Sequence, residues 1–168
     1  MIYNDLIDDI KSADYVLFGL GKEIYSSDDT EIYDNLKKLF ASMEHVNYFI
    51  VSTDKAGTIR NCGLNERRIV CPVNENNAEE EEKQWDFYNK WLSATLAKKL
   101  LVIEIGEGFN NPNLIRWPFE RIVMINDKAH FYRAHSTFYQ IPKEIADKAC
   151  TMKINSYEVL KELVNVVN

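Results

Sequence analysis

Three loops carry residue types able to handle a nucleotide: Gly19-Leu20-Gly21-Lys22, Thr53-Asp54, and Gly106-Glu107-Gly108 followed by Asn110-Asn111-Pro112. A Gly-x-Gly step lets the backbone come close to a ligand. In the third loop Asn111-Pro112 reads as an N-cap with proline at the first helical position, which would turn unpaired N–H groups toward an anion. Asp54, at a strand's carboxyl end, is placed to accept hydrogen bonds from ribose hydroxyls or to face a reacting centre. Each signal has a plainer counterpart. Gly19-Leu20-Gly21 lacks the third glycine of the dinucleotide fingerprint, since Ile24 stands there, and equally describes a tight turn. Lys22 beside Glu23 fits a solvated surface pair as well as a phosphate contact. Asp54 also suits the start of a turn. Arg116 is either a phosphate ligand or one half of a helical pair with Glu120. Only from Gly106 to Asn111 do the glycines and the helix-start signal serve one geometry.

Other chemistries find less support. His45, His130 and His135 show neither metal-ligand spacing nor a neighbouring nucleophile; His45 reads as a helix-end cap, and His135 follows a strand on the ligand side. Cys62, Cys71 and Cys150 form no Cys-x-x-Cys unit, so a disulfide framework or metal site is not expected and reduced thiols in a cytoplasmic setting are. A net charge of −6 without clustered Lys and Arg argues against a nucleic-acid surface. The first sixteen residues carry four acids, unlike a signal peptide, and no apolar run approaches a membrane span. The 168 residues, 46% hydrophobic, predict one domain over 1–168.

The elements that would position these loops follow from periodicity. Ile2, Leu6 and Ile10 predict an amphipathic helix, leading to a strand at Asp14 to Phe18. Asp28 to Glu31 fits a capping box for a helix carrying Ile32, Leu36, Leu39, Phe40 and Met43 on one face. Asn47 to Ser52 reads as the second strand, Arg68 to Val73 as a short one, and the acidic run Glu79 to Glu82 as the start of a helix burying Trp85, Tyr88, Leu92 and Leu96. Leu100 to Ile105 is an apolar strand, and Trp117 and Phe119 after it read as core. Then come a strand at His130 to Arg133, a short helix from about Pro142, a strand near Thr151 to Ile154, and a final helix burying Val159, Leu160, Leu163 and Val164. Strands alternating with helices predict an open α/β fold with a mainly parallel sheet covered on both faces. The loops after Phe18, Ser52, Ile105 and Arg133 should then share one crevice.

The stretch LLVIEIGEGFNNPNLIRWPFE, Leu100 to Glu120, resembles the corresponding part of sirtuin-family proteins, particularly the bacterial macrodomain-linked branch. The likeness continues through Ala129 to His135 and into the last helix, and is looser over Ala13 to Gly21 and Tyr48 to Gly63. It implies a Rossmann-like three-layer sandwich, the sirtuin or DHS-like NAD/FAD-binding fold, holding NAD or an ADP-ribose-type nucleotide. Family enzymes cleave the nicotinamide–ribose bond and pass ADP-ribose to an acyl-lysine oxygen or another acceptor. By position, Gly19 and Gly21 match the first loop, Thr53 and Asp54 the end of the second strand, and Gly106, Gly108 and Asn110 the phosphate and ribose loop.

Departures from the family pattern narrow the expectation. Bulky Leu20 and Lys22 intervene in the first loop, Asp54 replaces an asparagine, Ala56 an aspartate, and His135 an asparagine toward the adenosine end. Twenty-two residues separate Cys62 from Trp85, too few for a four-cysteine zinc lobe. The candidate cofactor site therefore comprises Gly19, Leu20, Gly21 and Lys22, then Thr53 and Asp54, then Gly106, Gly108, Asn110 and Asn111, with His135. The expected function is NAD or ADP-ribose-type nucleotide binding with protein deacylase activity lost. Any residual NAD hydrolysis or ADP-ribosyl transfer would use Asp54. The alternative is a non-catalytic interaction or scaffold protein, keeping the fold and binding a protein partner.

Overall fold

In the computed structural model, which describes residues 2–26 and 30–168, six strands form one fully parallel sheet in the order β3-β2-β1-β4-β5-β6. The strands are β1 (Tyr15–Leu20), β2 (Tyr48–Ser52), β3 (Ile69–Val70), β4 (Leu100–Ile105), β5 (His130–His135) and β6 (Ala149–Lys153). Helices α1 (Ile2–Ser12), α2 (Lys22–Tyr25), α3 (Ile32–Ala41), α4 (Ala78–Ala94), α5 (Arg116–Ile125) and α6 (Ser156–Val167) connect and cover them. Because side chains alternate along a strand, a sheet buried on both sides must be apolar at successive positions. β1 and β4 show this. Val16, Phe18, Leu20, Leu101, Ile103 and Ile105 pack with α1, α3 and α6, while Leu17, Leu100 and Val102 pack with α4 and α5.

Several sequence expectations shift in detail. The first strand runs on through Gly19 and Leu20, so these are strand residues rather than loop. Asp28, which opens the expected capping box, lies outside the described residues; the helix it was to cap is α3. Ser42, not His45, is the C-cap of α3, and His45 lies exposed in the following turn. The chain after Asn111 turns before it becomes helical: Leu114 N–H donates to Asn111 O at 3.3 Å, and α5 starts only at Arg116. Asn111 is therefore not its N-cap. Leu96, past the end of α4, is 59% exposed, and Trp117 is 47% exposed, so neither is core. The turn after Pro142 is a 3₁₀ helix, Lys143–Lys148.

The order places the topological switch between β1 and β4, where ligands collect in open α/β sheets. Gly19 sits there, facing α5. A Cβ on it would lie 2.5 Å from Phe119 Cε2 and 2.7 Å from Ile115 Cγ2, so the missing side chain is what lets the start of α5 rest on β1. Gly19→Ala is expected to destabilise the fold by about 1–3 kcal/mol through overpacking. Urea unfolding of the variant checks this, and an unchanged midpoint would show that Phe119 yields without cost.

Candidate functional site

The carboxyl ends of β1, β2, β4 and β5 lie side by side, and the loops after them converge as the sheet order requires. Beneath them is a buried polar network. Glu104 on β4 and Arg133 on β5 are register partners, and both side chains are wholly buried. Arg133 grips the carboxylate with two bonds, Nε to Oε1 at 2.7 Å and Nη2 to Oε2 at 3.0 Å. Its remaining Nη1 reaches Glu120 of α5 at 2.9 Å and the Gln140 carbonyl at 2.6 Å. Burial pushes the Glu104 carboxyl above its ordinary value, against the pull of Arg133 and Arg116.

Arg116 is also buried, and it serves the protein's own backbone. It donates to the carbonyls of Glu107 at 3.2 Å, Phe138 at 2.9 Å and Gln140 at 3.2 Å. Its guanidinium carbon lies 4.1 Å from the centre of the Phe109 ring. Of the two sequence readings, neither describes it: its donors face carbonyls, and Glu120 pairs with Arg133 instead. Thus one arginine ties the loop after β4 to the loop after β5.

The two glycine loops touch each other. Gly106 has a φ of +81°, a left-handed conformation that favours glycine, and a Cβ there would crowd Ser156 and the Ile24 nitrogen. A Cβ on Gly21 would come within 2.5 Å of the Glu107 backbone. Gly21 N–H donates to Ile105 O at 2.8 Å, and Glu23 N–H to Gly106 O at 3.0 Å. The close backbone approach that the glycines permit is thus between the β1 and β4 loops.

Glu23 crosses the same end of the sheet. Its carboxylate accepts from Ser156 N–H at 2.9 Å, Ser156 Oγ at 2.7 Å, Ser136 N–H at 3.2 Å, and Ser136 Oγ. Burial acts to raise its pKa, but the hydrogen bonds from Ser136 and Ser156 outweigh this and leave it below the ordinary value. It is not the solvated partner of Lys22. His135 Nδ1 lies 3.4 Å from Glu23, yet that nitrogen accepts from Thr137 N–H at 3.0 Å and Phe138 N–H at 2.9 Å. A nitrogen accepting two N–H bonds carries no proton for the carboxylate, so the contact is not an ion pair. Burial, which lowers the His135 pKa, agrees with a neutral ring.

The end of β2 is covered by aromatic side chains. Asp54 is 5% exposed, and its carboxylate accepts from Tyr33 OH at 2.9 Å, Ile59 N–H at 3.1 Å and Ala56 N–H at 3.3 Å. Burial and the bond to Asp54 push the Tyr33 phenol up to about 12. Tyr25 stacks on Tyr33 at 6.3 Å and shares a 2.6 Å hydrogen bond with Ser52. Thr53 returns to Leu20, donating its N–H to the Leu20 carbonyl at 3.0 Å.

Of the sequence candidates, the structure brings Gly21, Gly106, Gly108 and His135 together, with Asp54 and Thr53 across the β2 end. Leu20 faces the core, Gly19 faces α5, and Lys22, Asn110 and Asn111 are exposed. Sequence reasoning passed over Glu23, Glu104, Glu107, Arg133, Ser136 and Ser156. Of these, only Glu104 carried a signal: a carboxylate inside an apolar strand requires a buried partner. Grooves of about 1000, 530 and 480 Å³ lie elsewhere, the largest beside Tyr48, Arg68, Phe87 and Trp91. Among the described residues no three His, Cys, Asp or Glu side chains stand as a metal-ligand group. No helix among them is long and apolar enough to cross a membrane.

This architecture is sirtuin-like: six parallel strands with helices on both faces. Sir2Tm bound to a propionylated peptide superposes with a TM-score of 0.61 at 10% identity, covering 99% of this chain and 98% of the other. A second sirtuin structure, solved to explain sirtuin substrate affinity, gives 0.58 at 8% identity, covering 96% and 98%. No protein-family model matches the chain. A protein ADP-ribosyltransferase of Staphylococcus aureus (strain Mu50 / ATCC 700699) is 31% identical over 61 residues, 36% of this chain. A probable bifunctional ADP-ribose hydrolase/ADP-ribosyltransferase of Fusarium oxysporum f. sp. cubense is 41% identical over 51 residues, 29% of this chain. The matched stretches make up only 19% and 8% of those two proteins.

Glu107, between the two loop glycines, is 3% exposed, and its Oε2 has no hydrogen-bond partner among the described residues. Burial first, then the neighbouring Glu104, raises its pKa to about 8, which favours the neutral acid near pH 7. An unfolded chain releases this proton near 4.5 and the folded one only near 8, so the folded state binds more protons between these values. Stability from this group therefore falls as pH rises through that window. Glu107→Gln, neutral throughout, should gain on the wild type steadily from about pH 4.5 to 8 and level off above. Urea unfolding across pH checks it; parallel curves would mean Glu107 ionises normally.

Proposed function

We propose that the chain binds NAD or an ADP-ribose-type nucleotide at the carboxyl ends of β1, β4 and β5, without protein deacylase activity. The supporting observation is the cradle of Ser136 and Ser156, whose N–H and hydroxyl donors converge on an anionic group at the edge of the topological switch. The sirtuin-like fold and the short ADP-ribosyltransferase matches favour a nucleotide diphosphate as the external anion. In the conformation described here the fit is incomplete, because a carboxylate already fills the cradle and would repel a diphosphate.

Asp54 is the first carboxylate to test for residual NAD hydrolysis, though its accepted hydrogen bonds from Tyr33, Ile59 and Ala56 give it the role of a loop anchor. Asp54→Ala should cost about 1–3 kcal/mol in unfolding free energy by leaving those donors unpaired. It should leave any nicotinamide release by the folded protein unchanged; a loss of release with fold and binding retained would make Asp54 catalytic.

One observation favours a second reading. Gly21 against Gly106, Glu23 in the cradle and Tyr25 over Ser52 fill the crevice with the chain's own groups, as suits an interaction protein that keeps only the fold. Ligand-dependent melting separates the two. Saturation at a hundred times Kd adds about 2.7 kcal/mol, and thus raises Tm by roughly 5–10 °C. The expected result is a rise with ADP-ribose or NAD and none with unrelated nucleotides at equal millimolar concentration. A flat response in both the wild type and Glu23→Ala, which empties the cradle, overturns nucleotide binding.

A further inference from the structure

The side chain of Glu23 is only 13% exposed, and it bridges three parts of the chain that are far apart in sequence: the short helix α2 that follows β1, the turn after β5 and the first residue of α6. Its donors are two backbone N–H groups and two hydroxyls. Among the described residues no lysine or arginine is bonded to it, and His135 offers it an unprotonated nitrogen. A carboxylate held by neutral donors alone can be replaced by another oxyanion, since N–H and O–H groups suit a phosphate oxygen equally well. The chemistry of the cradle selects an anion; nothing in it selects Glu23.

We propose that Ser136 and Ser156 form a phosphate-binding subsite and that Glu23 is its internal competitor, a latch that must leave before the diphosphate of a nucleotide enters. This rests on the nucleotide-binding reading above. Glu23 N–H also donates to Gly106 O at 3.0 Å, so the residue that fills the cradle also ties the β1 loop to the β4 loop. Release of the carboxylate would vacate the anion position and remove one side of the closure. Apparent affinity then scales with the fraction of molecules whose latch is open.

The test compares wild type, Glu23→Gln and Glu23→Ala by isothermal titration with ADP-ribose and with inorganic pyrophosphate, after melting curves confirm folding. Gln keeps the size of Glu23 and loses the charge; Ala empties the cradle. Both variants should bind ADP-ribose at least about tenfold more tightly than the wild type, with Ala the tighter. Should either variant fail to fold, Glu23→Asp, which keeps the charge but draws the carboxylate back from Ser136 and Ser156 while leaving every cradle donor in place, stands in for it, and a gain in affinity is again expected. Equal ADP-ribose affinity in wild type and variants overturns the latch and leaves the nucleotide reading standing. Absence of binding in all of them overturns the nucleotide reading itself. Pyrophosphate binding the variants as tightly as ADP-ribose supports the subsite and overturns its assignment to a nucleotide.

Discussion

The site end of this protein depends on the buried pair of Glu104 and Arg133. Two ionised groups removed from water are stable only when their lone pairs and protons are met, and here the guanidinium meets the carboxylate with two bonds and spends the rest on Glu120 and the Gln140 carbonyl. Removing either partner would strip the other of its two direct bonds and leave only Glu120 beside Arg133, at 2.9 Å, or Arg116 beside Glu104, at 3.9 Å, a cost of about 3–5 kcal/mol. Through Glu120 and the Gln140 carbonyl the pair sets β4 and β5 against α5 and holds the segment after β5 in place. Arg116 extends this by joining the Glu107 carbonyl to those of Phe138 and Gln140. The loops after β4 and β5 are therefore one unit, and His135, Ser136 and Gly108 take their positions from it.

Above this unit the crevice of an open parallel sheet is closed by small, local devices. Glycines at 21 and 106 let two backbones meet, Glu23 satisfies donors on two other elements, and Tyr25 and Tyr33 lie over the polar end of β2. These contacts rest on hydrogen bonds and steric fit, which can be exchanged for contacts to a ligand more readily than buried apolar surface can. The aromatic pair Phe109 and Phe138, with ring centres 5.3 Å apart, remains 51% and 39% exposed at the rim.

Much of the fold was legible because parallel strands and their covering helices write periodic apolar patterns. The strands at Tyr48–Ser52 and Leu100–Ile105, the helix Ser156–Val167 and the common crevice all follow from such patterns. The site was legible as loops but not as side chains. Lys22-Glu23 reads as a surface pair because nothing in the local sequence reveals Ser136, 113 positions away, or Ser156, 133 positions away. Glu81 was hidden in the same way: inside an acidic run that reads as solvated, it is buried and bonded to Arg60, Cys71 N–H and Asn74. Trp117 erred in the other direction, since hydrophobicity alone does not say which side of α5 faces the sheet.

By itself the sequence determined the order of strands and helices, the parallel sheet and the places where glycine permits close backbone approach, because these depend on residue type and near-neighbour spacing. What approaches each glycine was decided only by the tertiary structure. Gly19 receives the Phe119 ring, Gly21 receives the Glu107 backbone, and the cradle at Ser136 and Ser156 receives a carboxylate from the β1 loop. A glycine marks space, and an N–H marks a demand for an acceptor. Only the packing of distant segments determines whether that space and demand are met by a ligand or by the chain itself.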